Sequence, residues 1–194
     1  MKLYLSVIVV AAAVISALNI VFETAAWQYV TACVVWSIAL QFALDGIIAL
    51  SINKTPDKWF GVDNPLYHVS EAERKLYKKI KVRLWKDKIW ELGGMGGFSK
   101  KTLLSPHDPE YIEKFIIECN KGVLTHRLSY PIGFLAMLTV PSPFALTVAL
   151  PVAAVNLILN ILPTLALRYN TPMLRSVLKK LKQKSGNSGI VIRK

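Results

Sequence analysis

The sequence predicts an all-α polytopic membrane protein: four transmembrane helices in two hairpins, both termini cytoplasmic, and amphipathic helices lying at the cytoplasmic interface. Three observations carry this expectation. Two long apolar blocks, residues 3–52 and 130–167, contain no lysine or arginine. The basic residues lie at Lys2, between Lys54 and Arg127, and from Arg168 to Lys194. The turns that would face outward, around Glu23–Trp27 and Pro141–Pro143, carry none. Basic loops resist translocation, so the N-terminus, the polar middle and the C-terminus are expected on the cytoplasmic side.

The length of 194 residues leaves room for one compact unit, expected as a single membrane domain. Hydrophobic residues make up 53% of the chain and mean hydropathy is positive, which points to lipid as the solvent. A formal net charge of +12 also occurs in nucleic-acid-binding proteins. Here the cations track the ends of apolar spans, so membrane lipids of an anionic leaflet, or a phosphate-bearing ligand, are the expected partners and nucleic acid is not. Cys33 falls in an expected span and Cys119 on the expected cytoplasmic side, so the two form no disulfide framework. His68, His107 and His126 are far apart, no zinc spacing is present, and no metal or bound cofactor is expected.

The first span is read over residues 3–22. Its apolar run of roughly 20 residues exceeds the ~7–15 of a signal-peptide core, and a second span follows closely, so it is expected to be retained. About 20 residues at 1.5 Å each also match a hydrocarbon core about 30 Å thick. The second span covers residues 27–52, with Trp27 and Tyr29 at the outer interface. Asp45 lies inside it. A carboxylate there should face protein or water, either as a proton or ligand site or as a polar contact near the inner boundary.

Residues 53–121 form the cytoplasmic and interfacial segment. Ser70 is expected to cap a helix with Glu71 and Glu73 in its first turn, which suits the helix dipole. This helix is expected to continue through Leu84 to Trp90, with Leu76, Tyr77, Ile80, Leu84, Trp85 and Ile89 forming an apolar stripe among lysines. Gly93, Gly94, Gly96 and Gly97 make a loop, but no strand precedes it and the Lys-Ser/Thr of a phosphate loop is missing. Asp108-Pro109-Glu110 is a helix start. The helix begun there is expected to weaken at Gly122, to kink at Pro131, and to provide the third span over residues 122–140. Pro141-Ser142-Pro143 turns the chain, and the fourth span covers residues 144–167 with bends at Pro151 and Pro163. Asn156 and Asn160, four apart, share a face and suit either helix joining or a site. A basic cytoplasmic tail, residues 168–194, holds a short helix from Met173 to about Lys184 and ends in an expected disordered stretch.

Polar residues distant in sequence converge on one expected level: Trp85, Lys86, Lys88 and Glu91; Lys100 and Lys101; Glu118 and His126; Asn160; and Arg168, Tyr169 and Asn170. His126 is the candidate general base, since imidazole accepts a proton near neutral pH. Glu118 lies on the same expected helix, eight residues earlier, which is about 12 Å along the axis and roughly 80° around it. Their direct pairing requires a broken helix at Gly122. Glu91 or Asp45 could orient His126 instead, and a histidine bonded to a backbone carbonyl is the alternative without chemistry.

Trp85-Lys86-Asp87-Lys88 followed by Glu91 resembles the WKxK segment of the glycosyl-diaponeurosporenoate acyltransferase family. Pro56-Asp57 and Phe60, Phe98-Ser99-Lys100-Lys101, the run from Ile112 to Lys121 with His126 after it, and Asn160, Pro163, Arg168-Tyr169-Asn170 and Pro172 are similar to further segments of that family, in the same order. Three positions depart from the pattern: Val123 stands where the family carries a second glutamate, Arg127 replaces the tryptophan after the histidine, and Pro163 is shifted by one.

The resemblance implies a small bacterial cell-membrane enzyme that moves a fatty acyl group to a hydroxyl of a membrane-embedded glycolipid or glycosylated isoprenoid, as an O-acyltransferase of carotenoid biosynthesis. It implies His126 as the base, with Glu118 or Glu91 orienting it, and Lys86, Lys88, Lys100, Lys101 and Arg168 on the donor or the developing oxyanion. Trp85, Tyr169, Asn160 and Asn170 would contact the lipid-linked acceptor. An acyl thioester or lipid donor would be the co-substrate. The alternative reading is a non-enzymatic lipid-binding or transport-accessory protein that grips headgroups with the same cations; Val123 favours it.

Overall fold

The computed structural model describes residues 2–22, 26–89 and 103–190, with side chains placed from Tyr4 and up to Ser185. Among the described residues the chain is helical and holds no strand. Seven α-helices follow one another: α1 Lys2–Phe22, α2 Trp27–Asn53, α3 Glu71–Lys79, α4 Val82–Trp85, α5 Pro109–Ile132, α6 Ser142–Phe144 and α7 Leu150–Ile190. Tighter turns at Asp57–Phe60, Pro65–Tyr67, Lys86–Lys88 and Gly133–Leu138, and a wider π turn at Ala145–Ala149, link them. Three helical segments are long and apolar enough to cross a membrane: Tyr4–Phe22, Trp27–Asn53 and Ser142–Ser185.

The chain divides into two compact units. The first comprises residues 1–53 and 124–162. Its core is the cluster of Ile15, Val30, Cys33, Val34, Phe144, Val148 and Val152. Tyr29 meets Phe144 edge to face at 5.3 Å between ring centres. Polar groups tie the same helices together. Asn19 Nδ2 donates to the carbonyls of Ile15 and Thr147 at 2.8 Å each, Trp36 Nε1 donates to Thr139 Oγ1 at 3.0 Å, and the Tyr4 hydroxyl donates to the Leu159 carbonyl. Large apolar side chains point outward: Val21 and Phe22 on α1 are 74% and 77% exposed, and Trp36, Phe42, Ile47 and Leu50 on α2 are exposed as well. So large an apolar surface is unfavourable in water and natural in hydrocarbon. The chain is accordingly a membrane protein.

The second unit comprises residues 54–123 and 163–194. It centres on Phe60, which is fully buried, on Ile112, Phe115, Ile116 and Cys119 of α5, and on Leu174 and Leu178 of α7. The Phe60 carbonyl accepts from Asn120 Nδ2 at 2.8 Å, its ring lies 6.1 Å from that of Tyr67, and Lys121 Nζ sits 5.9 Å from its centre. Near the far end of α7, Lys182 Nζ reaches Glu113 Oε2 on α5 at 2.6 Å.

Three sequence expectations are corrected here. The helix capped by Ser70 does not run to Trp90. It ends at Lys79, Lys81 adopts the left-handed conformation with φ 52°, and a separate short α4 follows. The break lets Tyr77 and Val82 both be buried, whereas the stripe read from sequence leaves Leu76, Ile80 and Leu84 exposed. Pro163 and Pro172 lie inside a continuous α7 of 41 residues. At 1.5 Å per residue α7 is about 60 Å long, twice the hydrocarbon core, so only its apolar first part fits within a bilayer. The stretch from Ser185, expected to lack structure, is helical to Ile190.

The expected third span, residues 122–140, is not one long apolar α-helix. It consists of the end of α5, through Pro131, and then the tight turns of Gly133–Leu138. A proline in the last turn of an α-helix is followed readily by a change of winding.

Because Phe60 is enclosed on all sides, Phe60→Ala is expected to cost about 3–5 kcal/mol of stability. Thermal unfolding of the full chain in neutral detergent measures it, and an unchanged midpoint would contradict the central place given to Phe60.

Candidate functional site

In the first unit, α2, α5 and α7 place polar side chains against one another within an apolar bundle. Ser37, Gln41 and Asp45 recur every four residues on α2 and so share one face. Asn156 and Asn160 do the same on α7. Ser37, Gln41, Ser129 and Asn160 are buried, and Asp45, His126 and Asn156 are half-buried. Gln41 Nε2 donates to the Gly133 carbonyl at 3.1 Å. A Cβ at Gly133 would stand 3.1 Å from Asn156 Nδ2, so the absence of a side chain there lets α7 approach.

His126 Nδ1 lies 2.8 Å from Asn160 Oδ1. The Asn160 amide has only one sensible orientation. Its nitrogen faces three oxygens: the Asn156 carbonyl at 3.1 Å, Asn156 Oδ1 at 3.2 Å and Asp45 Oδ2 at 3.4 Å. Turning the amide over would set its oxygen against those acceptors. Asn160 Oδ1 therefore accepts, and Nδ1 of His126 carries the donating proton. In the neutral ring the lone pair then belongs to Nε2. The contact to Asp45 is long for a hydrogen bond and places its carboxyl group behind the amide. Asp45 Oδ1, Asn156 Nδ2 and Ser129 Oγ are shielded from solvent and have no hydrogen-bond partner among the described residues.

The second unit contains the other group of sequence-identified residues. Arg168, 4% exposed, is clamped by α3. Its Nε and Nη2 donate to the two oxygens of Glu73 at 2.8 and 2.7 Å, and Nη2 also donates to the His68 carbonyl at 2.8 Å. The same glutamate completes a capping box with Ser70, accepting from the Ser70 amide at 3.0 Å while Ser70 Oγ accepts from the Glu73 amide at 3.2 Å. Tyr77 donates to Glu73 Oε1 at 3.0 Å and stands edge to face with Tyr169 at 6.3 Å. Burial pushes the Glu73 carboxyl up, but the Arg168 hydrogen bonds, the Ser70 amide and the Arg168 charge prevail and hold it down at about 2.

Glu118 pairs with Lys121 at 3.1 Å, and Lys121 also meets Asp57 at 2.6 Å. Burial pushes Lys121 down, and the two carboxylates more than reverse this, so its pKa is raised. Trp85 Nε1 donates to the Ile80 carbonyl at 3.0 Å, closing the turn between α3 and α4. Lys86 is paired with Asp87 at 2.6 Å, Lys88 is exposed and Asn170 is half-buried. Glu91, Lys100 and Lys101 lie outside the described residues. Val123, where the resemblance has an acid, is 1% exposed.

The structure thus gathers His126 with Asn160 and Asp45, and Arg168 with Tyr169 through Glu73 and Tyr77. Sequence reasoning missed Glu73 as the partner of Arg168, and Gln41 and Gly133 as parts of the polar seam. The four-residue spacing of Gln41 and Asp45 inside a span was a usable signal; nothing in the sequence links Glu73 to Arg168.

Compared with known proteins, residues 56–180, more than half of the chain, match the family model described as glycosyl-4,4'-diaponeurosporenoate acyltransferase. No curated protein and no solved structure matches.

A carboxyl held at about 2, against an ordinary 4.5, stabilises the fold fully above pH 4.5 and loses that contribution as the pH falls towards 2. The melting-temperature difference between the wild type and Glu73→Gln is therefore expected to be constant above that window and to shrink on acidification through it. A difference that persists unchanged to the bottom of the window would show that the Arg168 clamp does not depend on the ionised carboxylate.

Proposed function

This chain belongs to the glycosyl-4,4'-diaponeurosporenoate acyltransferase family, and from that premise we propose that it moves a fatty acyl group to a hydroxyl of a membrane-embedded acceptor, a glycolipid or glycosylated isoprenoid. The observation that carries the reading is the bond from His126 Nδ1 to Asn160 Oδ1, with the amide held in place by Asn156 and Asp45. It supplies what a general base for acyl transfer needs: a defined tautomer, an oriented ring and an amide held from behind by Asn156 and Asp45.

In the proposed reaction the acceptor hydroxyl gives its proton to His126 Nε2 as its oxygen attacks the acyl carbonyl. A C–O bond forms and the tetrahedral intermediate develops an oxyanion. Collapse breaks the bond to the donor's sulfur or oxygen, and the imidazolium returns the proton to that leaving group. The product is an ester, so the chemistry is O-acyl transfer, with an acyl thioester or lipid donor as co-substrate.

In this reading Asn160 and Asp45 take the orienting role from Glu118, which is held by Lys121, while Glu91, the other carboxylate named from sequence, lies outside the described residues. Arg168 acts through the fold, holding α3 to α7 by way of Glu73. Lys86 and Lys88, with Lys100 and Lys101, remain for the donor, and Trp85, Tyr169 and Asn170 for the acceptor's sugar or lipid. A second reading, a lipid-binding accessory protein, is favoured by Val123 alone.

Four crossings are proposed in place of three, the additional one being the end of α5 with the turns that follow. Bonds from Gln41 and Trp36 on α2 to Gly133 and Thr139 support it, since their donors lie within a spanning helix. Loop charge supports cytoplasmic termini, and the family resemblance implies a bacterial cell membrane as the location.

His126→Ala in folded protein is expected to lower acyl transfer about 100- to 10,000-fold. Asn160→Ala should lower turnover less, and the double substitution should be no worse than His126→Ala, since Asn160 acts through the ring. Transfer assays with membranes containing the glycosylated acceptor read this out. Unchanged transfer by His126→Ala removes it from the mechanism, and an intact lipid retained on the wild type that never turns over supports the accessory reading.

A further inference from the structure

The second unit carries a further set of polar atoms, on α7. α7 carries Arg168 and Arg175 seven residues apart, about 20° from perfect alignment, so both side chains leave the same face. Arg168 has its carboxylate in Glu73. Arg175 has none in direct contact. Its Nε and Nη2, like Nη1 of Arg168, are shielded from solvent without a hydrogen-bond partner among the described residues. The charges that act on Arg175 are Asp63, which attracts it, and Arg168, which repels it.

Arg175 also lines a cavity of about 150 Å³ together with His68, Val69, Arg74, Thr171 and Pro172. A single water needs only about 10–15 Å³ of such space, so the cavity is sized for a larger group. His68 and Arg74 are exposed, which opens it to the surface. No acidic side chain lines it.

A guanidinium whose N–H groups are withdrawn from water and left unbonded is unfavourable, and an oxyanion relieves it. With Arg168 neutralised by Glu73, Arg74 and Arg175 are the arginines left to line the cavity, and Asp63 offsets part of the charge of Arg175. A phosphate monoester, at about −1.5 to −2 near neutral pH, offers this pair more charge and more acceptor oxygens than a carboxylate does. The planar fork of arginine also suits phosphate oxygens in pairs.

We infer that the cavity beside Arg175 is an anion site for a phosphate-bearing group, carried by a soluble molecule or by a lipid headgroup, with Arg175 as its principal ligand and Arg74 as its second cation. The site uses none of the residues given the transfer chemistry, and it stands or falls independently of that reading.

The test uses the full chain in neutral detergent and two probes, each followed by calorimetric titration or by the shift in melting temperature. Inorganic pyrophosphate represents the soluble source. Mixed micelles containing phosphatidylglycerol, against micelles containing phosphatidylcholine, represent the anionic headgroup. At least one probe is expected to bind, with its apparent Kd raised about tenfold or more by Arg175→Met and about threefold or more by Arg74→Met. Lys180→Met, which removes an exposed charge from the same helix, should change it less than about twofold.

A pyrophosphate response assigns the soluble source, and a phosphatidylglycerol response alone assigns the headgroup. If neither probe binds the wild type, or if Lys180→Met weakens binding as much as Arg175→Met, the site is overturned. Should Arg175→Met fail to fold, Arg175→Lys and Arg74→Met decide. Binding that survives Arg74→Met unchanged overturns the inference.

Discussion

A polar group enclosed by apolar helices must find its partner inside the protein, and this constraint organises both units. Neither hydrocarbon nor a packed interior offers it a hydrogen bond, and an unmet one costs on the order of 1–3 kcal/mol. In the first unit the constraint is met in part along a seam: Gln41 on the Gly133 carbonyl, Asn19 on two carbonyls, and Asn160 on His126, Asn156 and Asp45, with Asp45 Oδ1, Asn156 Nδ2 and Ser129 Oγ left without a partner among the described residues. In the second it is met by the fork of Arg168 on Glu73, backed by the carbonyl of His68. Several of these bonds, Asn19 to Thr147, Gln41 to Gly133, Asn160 to His126 and Arg168 to Glu73, join separate elements, so satisfying the polar groups also fixes which elements adjoin.

The same constraint sets the tautomer and the plane of His126. An imidazole in an apolar bundle is useful as a base only if its tautomer and plane are defined. A carboxylate beside it would do this, and a divergence such as Val123 then looks disabling. An amide does it as well, provided the amide is itself held. Asn156 and Asp45 hold it here, and the seam supplies the asymmetry that a lone asparagine lacks. Family membership and this geometry converge on acyl transfer without requiring an acid at position 123.

Glu73 illustrates why the second unit resists piecemeal reading. Its carboxylate caps α3, accepts from Tyr77 and binds Arg168, so one side chain sets the start of a helix, the position of an aromatic ring and the docking of α7. Arg168, which from sequence alone reads as a ligand for substrate phosphate, is thereby occupied. Arg175, one heptad on, inherits the unpaired charge.

Much of the architecture was legible in the chain. Apolar runs free of lysine and arginine marked α1, α2 and the first part of α7, because hydrocarbon excludes charge. Ser70 with Glu73, and Asp108 with Pro109, marked two helix starts, because capping uses side chains within three residues of the backbone groups they satisfy. His126, Asn160 and Asp45 were each identifiable as polar residues at membrane depth. What the sequence by itself determined was therefore local: composition, caps, and the faces of helices. That Asn160 bonds His126, that Glu73 claims Arg168, and that α7 continues unbroken past Pro163 and Pro172 were decided by the tertiary structure. The two pairings join residues 34 and 95 positions apart, where direction and distance are set by how whole helices pack and no local pattern records them.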